Sequence, residues 1–432
     1  MTKTYKGIII KLIKEQKQEF NSKNSLTVYP RMIILLFDCV VLIMLMKTYK
    51  TKLKLNNKQR TQLLKNAGVA RFAYNLTLQM QEENYKNGGK FLSDCDIRKQ
   101  ITLLKQTELS WLYEYDVDIV KQAVKDACLA YKRFFKGLAD KPKFKSKRKS
   151  KPSFFIDGWK LKIENGYIKI PKCTKMKLYE KDYIPQGLNY ANPRITFDGI
   201  DFWISVAVKE EQLKPKLTNE IIGIDLGLKE LATCSNGMVF HNVSKFDNYK
   251  KLEKSIKQKQ RQVARKYEKN KHGNKFVKTN NIVKLEKRIL KKRIKQNNIK
   301  KDYFHKSTTA LVRTKPIAIV LEDLNVAGMR KNKHLSHAIQ LATISMFKDM
   351  LINKAQNLGI EIVLADRFYP SSQICSSCGN RKADLKLSER TYKCPVCGLE
   401  IDRDYNASIN LKHYREFPEK LSLWRAKQTE VA

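Results

Sequence analysis

Apolar positions change period several times along the 432-residue chain, and each change marks an element. Over residues 46–55 basic and apolar residues alternate through Lys-Thr-Lys-Leu-Lys-Leu, the pattern of an exposed edge strand. Between Asn57 and Asp140 the period turns helical: Leu63, Ala67, Ala70, Tyr74 and Leu78 share one face, and Val120, Val124, Ala127, Tyr131 and Phe134 share another. We read those aromatics as core rather than as a surface for stacking bases. A Lys-rich linker follows over 141–149, where Pro142 stops the helix. Strands are then predicted over 161–163, 167–170, 176–178, 195–197 and 202–208, separated by Asn165-Gly166 and Asp198-Gly199 turns. They make a small β-barrel or sandwich, to which the 46–55 strand is assigned.

A second lobe opens at Pro215. Residues 221–225 form a short buried strand, 231–234 a second, and 238–241 a third after the Ser235-Asn236-Gly237 turn. A basic helical hairpin spans 250–301 and turns at His272-Gly273-Asn274. Its only acids are Glu253, Glu268 and Glu286, too few to pair its charges at helical spacing, which points to nucleic-acid contact. A buried strand at 317–321 ends in Glu322-Asp323, a helix over 336–357 stops at Gly359, a strand covers 360–364, and a final helix runs over 407–414. Three strands, a long helix, a strand, a helix, a strand and a terminal helix is the order of a ribonuclease-H-like α/β domain.

Charge sharpens this picture. With 86 Lys and Arg against 42 Asp and Glu, the formal net charge is +44, which calls for a polyanionic partner. Of the nine cysteines, Cys39, Cys95, Cys128, Cys173 and Cys234 stand singly, so a disulfide scaffold is excluded and a reducing cytoplasm expected. The apolar run at 32–46 is too short for a membrane span and carries Asp38 at its middle. Lys-Thr-Tyr-Lys occurs at 3–6 and again at 47–50, and the patterned protein starts with the second copy. Residues 1–45 are therefore read as an upstream extension outside the fold, with Met44 or Met46 as the working start.

Two kinds of metal chemistry are suggested. Cys375-Ser376-Ser377-Cys378 and Cys394-Pro395-Val396-Cys397 have the spacing of a structural zinc ribbon, because each tight knuckle aims two thiolates at one tetrahedral ion. Strand alternation puts Ile221, Gly223 and Asp225 on one face, and Ala318, Val320 and Glu322 on another. Gly223 and Gly227 leave room beside Asp225. Asp402 and Asp404 follow the ribbon, and several carboxylates converging on a rigid mount are what two-metal phosphodiester hydrolysis requires. Each acid alone has a plainer reading, as a turn or a helix cap, and spacing cannot choose Asp404 over Asp402.

Gly223-Ile224-Asp225-Leu226-Gly227, Leu321-Glu322-Asp323-Leu324-Asn325-Val326, Tyr369-Pro370-Ser371-Ser372-Gln373-Ile374-Cys375 and Asp402-Arg403-Asp404-Tyr405-Asn406-Ala407-Ser408 together resemble the TnpB (OrfB) proteins of insertion sequences. The resemblance implies an RNA-guided DNA endonuclease with a RuvC-like nuclease lobe, related to the ancestors of type V CRISPR effectors. It implies Asp225, Glu322 and Asp404 as the catalytic acids holding Mg2+ or Mn2+, a structural Zn2+ on the four cysteines, a guide RNA from the transposon end, and double-stranded target DNA beside a short transposon-adjacent motif. A monomer in the RNA complex is expected, with a dimer left open, and no membrane partner.

The domains are then 46–56 with 146–213 as a β-barrel wedge module, 57–145 as a helical recognition module, 214–369 with 401–416 as the nuclease domain, 370–400 as the ribbon, and 417–432 as a tail. Nucleic-acid contacts are expected from Lys145, Lys147, Arg148, Lys287, Arg288, Lys292, Arg293, Lys300 and Lys301. The chain departs from the family where Lys300 and Lys301 precede Asp302 in place of an Arg, losing the planar fork that grips phosphate, and at Ile344, where a Trp is common. Two other readings compete with the nuclease: an RNA-guided protein that binds DNA without cutting, and a transposase performing strand transfer.

Overall fold

The computed structural model describes residues 42–213, 215–334, 336–386 and 388–414. The tail at 417–432 and nearly all of the 1–45 extension fall outside them. The first strand, β1 (Leu42–Lys54), begins inside the segment assigned to that extension.

After β1 the chain forms α1 (Asn57–Lys86), α2 (Asp94–Leu104) and α3 (Val117–Phe135), then β2 (Ser153–Phe155), β3 (Lys162–Glu164), β4 (Tyr167–Lys169), β5 (Met176–Leu178), β6 (Ala191–Phe197) and β7 (Phe202–Leu213). Capping fixes the helix starts. Asn56 and Gln59 form a reciprocal capping box on α1, and Ser93 and Asp96 form one on α2. The strands join one seven-stranded sheet in the order β2-β6-β7-β1-β5-β4-β3.

The sequence expectation of an edge strand fails here, because β1 lies in the middle of the sheet. Its alternation instead separates a buried face, Tyr49, Thr51 and Leu53, from a face of lysines. Those lysines cover aromatic rings rather than a free edge: Lys50 sits 5.5 Å from the Trp203 ring, and Lys54 4.9 Å from that of Tyr179. The helices share a core with the sheet through Leu63, Leu78, Val124, Phe154, Ile195 and Ile204. Arg194 on β6 clasps Asp126 on α3 with bonds of 3.0 and 3.1 Å, tying the layers at a polar point.

The second half contains β8 (Ile221–Asp225), β9 (Glu230–Cys234) and β10 (Val239–His241), then α4 (Asp247–Lys269), a hairpin of β11 (Lys271–His272) and β12 (Lys275–Phe276), and α5 (Asn280–Arg313). Next come β13 (Ala318–Glu322), the short α6 (Val326–Met329), α7 (Ser336–Ala342), α8 (Ile344–Leu358) and β14 (Glu361–Ala365). Finally β15 (Thr391–Lys393) and β16 (Glu400–Asp402) precede α9 (Arg403–His413). The sheet order is β10-β9-β8-β13-β14, antiparallel from β10 to β8 and parallel from β8 through β13 to β14.

The largest core of this half joins the sheet to α5 and α8, while the ribbon has its own around Leu385 and Tyr392, and Leu411 of α9 packs with Val320 and Ala365. Phe304 and Leu311 of α5 and Phe347, Leu351 and Ala355 of α8 pack with Ile222, Ile224, Ile319 and Leu321 of the sheet. The single helix expected over 336–357 is two, because Thr343 takes a left-handed φ of 51° and breaks it. The final helix begins at Arg403 rather than 407, since Asp402 caps it.

The position of α9 depends on one glycine. A Cβ on Gly223 would overlap the Ser408 carbonyl oxygen and the Lys412 amide nitrogen, so only glycine lets the α9 backbone lie against β8. Among the described residues no helix is long and apolar enough to cross a membrane.

Candidate functional site

Asp225 ends β8 and Glu322 ends β13, and the parallel register pairing Ile224 with Leu321 puts the two acids side by side at the carboxyl edge of the sheet. That edge is where open α/β sheets carry ligands. Asp404 lies in the first turn of α9, which packs across both strands. The choice between the two late aspartates has a physical basis. Asp402 is engaged as the helix cap, one carboxylate oxygen accepting the Asp404 and Tyr405 N–H groups at 3.0 Å each.

The three carboxylates interact through their charges. Loss of solvation drives Asp225 well above the usual carboxylate range, and the charges of Glu322 and Asp404 push it further, against a weaker pull from Arg403. Glu322 is raised chiefly by desolvation and also by Asp404, while a hydrogen bond from Ser371 opposes the shift. The Ser371 hydroxyl donates to Glu322 Oε1 at 2.6 Å. Asp323 points elsewhere: Arg367 at 2.9 Å and Lys348 at 3.4 Å hold its carboxyl below the usual range.

The donors fit hard divalent cations. Three carboxylates on rigid mounts, half-buried and mutually repelling, offer the oxygen donors whose charge a Mg2+ or Mn2+ ion would offset. Among the described residues these acids do not close to the spacing of the thiols.

The four cysteines do close. Their sulfurs all lie within 4.8 Å of one another, with Cys375 to Cys397 at 3.6 Å and Cys378 to Cys394 at 3.5 Å. Four thiolates on a tetrahedral zinc, each about 2.3 Å from it, stand about 3.8 Å apart. Each knuckle is turned by a left-handed glycine, Gly379 at φ 75° and Gly398 at φ 72°. The N–H groups of Cys397 and Val396 help bring Cys394 down to about 6, against the cost of its burial. Cys378 receives the Asn380 N–H, yet desolvation and its three thiol neighbours push it up to about 12. One thiolate thus forms at the expense of another until a cation neutralises the set.

The basic candidates divide. Lys147, Arg148, Lys287, Arg288, Arg293 and Lys301 are exposed, and Lys292 is half-buried. Lys145 carries its ammonium 3.4 Å from the Tyr74 ring centre, while its backbone exchanges hydrogen bonds with the Asn75 side chain. Lys300 does not belong with them. It is 5 % exposed, sits 5.4 Å from the Tyr249 ring, and is lowered to about 8 by burial. The helical period sets it on the line of Ile289, Phe304 and Leu311, the buried face of α5, about 100° around from Lys301.

The aromatics of the helical insert also divide: Tyr74 and Tyr131 are core, whereas Phe134 is 37 % exposed. Sequence reasoning did not single out Ser371, Asn406 or Asn410 as supports of the acids. No periodicity marks them, although an Asp-x-Asp ahead of a helix does suggest that its first member is the cap.

Three family models match separate stretches: one described as a helix-turn-helix domain at 44–90, one as a probable transposase at 204–333, and one as a Cas12f1-like TNB domain at 345–411. The first stretch is a strand and one long helix here, not two helices about a turn. A relative named putative RNA-guided DNA endonuclease InsQ, from Escherichia coli K12, is 28 % identical over 85 % of this chain and 91 % of its own length. A putative RNA-guided DNA endonuclease of Streptomyces pristinaespiralis is 27 % identical over 84 % of this chain and 88 % of its own. A solved Cas12f1–sgRNA–target DNA complex aligns over 85 % of this chain and 99 % of that one, at 12 % identity and a TM-score of 0.49. With family models spread from residue 44 to residue 411 and relatives matched along most of their length, the chain is similar to probable transposases of the OrfB type and to putative RNA-guided DNA endonucleases.

Proposed function

We propose that this chain is a transposon-associated, RNA-guided DNA endonuclease. It would hydrolyse phosphodiesters of double-stranded target DNA next to a short transposon-adjacent motif, directed by a guide RNA from the transposon end. The observation that carries the reading is the meeting of Asp225, Glu322 and Asp404, from three distant parts of the chain, at the carboxyl edge of one sheet. The sheet order, with α9 laid across β8 and β13, supports a RuvC-like nuclease domain. The names of the long relatives support the guided-nuclease activity.

Bound divalent ions would activate the attacking water and neutralise the leaving oxygen. Asp225, desolvated and repelled by both other acids, is the residue most in need of a cation, and it would hold the ions together with Glu322 and Asp404. Asp402 holds the first turn of α9 so that Asp404 keeps its direction. The four thiolates hold a structural zinc and take no part in the chemistry.

Sequence specificity belongs to guide–target pairing, so the protein needs backbone contacts rather than base readout. The exposed cations of α5 and of the 146–149 stretch suit that task. The 46–56 and 146–213 segments are assigned to a wedge module, 57–145 to a recognition module, and 214–369 with 401–416 to the nuclease.

The test is a plasmid assay with the RNA that co-purifies with the protein. Guide-dependent linear product in Mg2+ is expected. Binding of the matched plasmid without cutting, or guide-independent joining of transposon ends, would replace this reading with a binding protein or a transposase.

A further inference from the structure

A glutamate at a strand end has three rotatable bonds, and Glu322 faces two like charges that favour swinging it away. Something must hold it. Ser371, 4 % exposed, lies on the stem leading into the cysteine ribbon and directs its hydroxyl to Glu322 Oε1 at 2.6 Å. That bond engages one carboxylate oxygen, Oε1.

Ser371 is itself held. Its carbonyl oxygen accepts the Asn410 side-chain amide at 2.7 Å, and the same amide nitrogen donates to the Ile374 carbonyl at 2.7 Å. One turn earlier, the Asn406 amide also donates to Ile374 at 2.7 Å, and its oxygen accepts the Ser376 N–H at 3.0 Å. Asn406 is fully buried and Asn410 4 % exposed, so these bonds form away from water, where an unmade bond is costly. Both asparagines lie on α9, the helix that carries Asp404. A continuous chain of hydrogen bonds therefore runs from α9 through the ribbon stem to Glu322.

We propose that Ser371 is a positioning residue that presents Glu322 to the metal site, and that Asn406 and Asn410 set its place from the helix bearing Asp404. The inference rests on the three-acid reading above. Partners of this kind around metal ligands are worth about 10- to 100-fold in metal affinity or activity.

The experiment compares wild type, Ser371→Ala, Ser371→Thr and Asp225→Ala as full chains. It measures Mn2+ binding by electron paramagnetic resonance, the Mg2+ demand of cleavage, zinc content and the thermal midpoint. Ser371→Ala should weaken the Asp225-dependent Mn2+ binding by about 10-fold or more, raise the Mg2+ needed for half-maximal cleavage, and leave zinc and midpoint as in wild type. Ser371→Thr, which keeps the hydroxyl, should recover most of the loss. Unchanged Mn2+ binding in Ser371→Ala overturns the proposal. So does a loss accompanied by falling zinc content and midpoint, because that marks mere support of the loop. If wild type binds no more Mn2+ than Asp225→Ala, the three-acid reading fails and this proposal falls with it.

Discussion

The four thiols and the three carboxylates, each proposed to hold a cation, are built in opposite ways. The four sulfurs come from two knuckles in one short stretch and already stand at nearly the spacing a zinc ion demands. The three acids come from two strand ends and a helix start, and they reach one another only through their charges. A closed set of soft donors suits an ion that stays. An open set of hard donors, strained by repulsion, suits ions that must also accept a substrate oxygen. Repulsion of that kind costs stability that the rest of the fold must offset.

The comparison can be broken most directly at its acidic end. Asp225→Ala should reduce guide-dependent cleavage to background while leaving guide-dependent target binding near wild type. Because it removes a repelled, desolvated charge, it should also raise the thermal midpoint in metal-free buffer. A variant that still cuts, or one that melts lower, contradicts the account.

At the other end, wild type should carry stoichiometric zinc by elemental analysis, and Cys375→Ser should lose it and open the ribbon to proteolysis, while the sheet stays folded. Full zinc retention would count against the four-thiol set.

Gly223→Ala probes what joins the two sites, since the added methyl meets the α9 backbone. The expected cost is about 1–3 kcal/mol in denaturant unfolding, with weakened cleavage as Asp404 shifts.

Lys300→Met is the control outside both sites. Burial lowers the Lys300 ammonium from 10.5 to about 8 against a weaker opposing pull from Glu253, so the unfolded chain binds a proton the folded chain does not between those values. Wild-type stability should therefore rise with pH from about 8 to 10.5. Below pH 8 the Met variant should be more stable by roughly 3 kcal/mol, a gap that closes as pH rises through that window. Equal stabilities at pH 7 would show that the burial costs nothing.

Much of this was legible in the residues, for identifiable reasons. Short buried strands such as 221–225 and 176–178 are continuous or alternating apolar runs, and both reappear where the pattern predicts them. The cysteine spacing fixed the ribbon because knuckle geometry is local. The central place of β1 was hidden because alternation reports which face is solvated, not which edges are paired. The break at Thr343 was hidden because nothing in Ala342-Thr343-Ile344 forbids a continuous helix. The burial of Lys300 could not be separated from the exposure of Lys301, since charge along α5 is nearly continuous. Ser371 and the two asparagines escaped because their partners are distant in sequence, and only the packing of α9 on the sheet brings them together.

The clamp of α9 on the ribbon stem has one more consequence. Asn406 and Asn410 grip Ser371, Ile374 and Ser376, so the point where the chain leaves the sheet and the point where it returns are held by the same few bonds. Whatever lies between them is a cassette whose ends are fixed independently of its length. Replacing the residues between the knuckles with a longer or differently charged loop would cost the β15–β16 pair yet leave the five-stranded sheet undisturbed. Lineages of this fold could therefore vary what the ribbon touches without rebuilding the acids beside it.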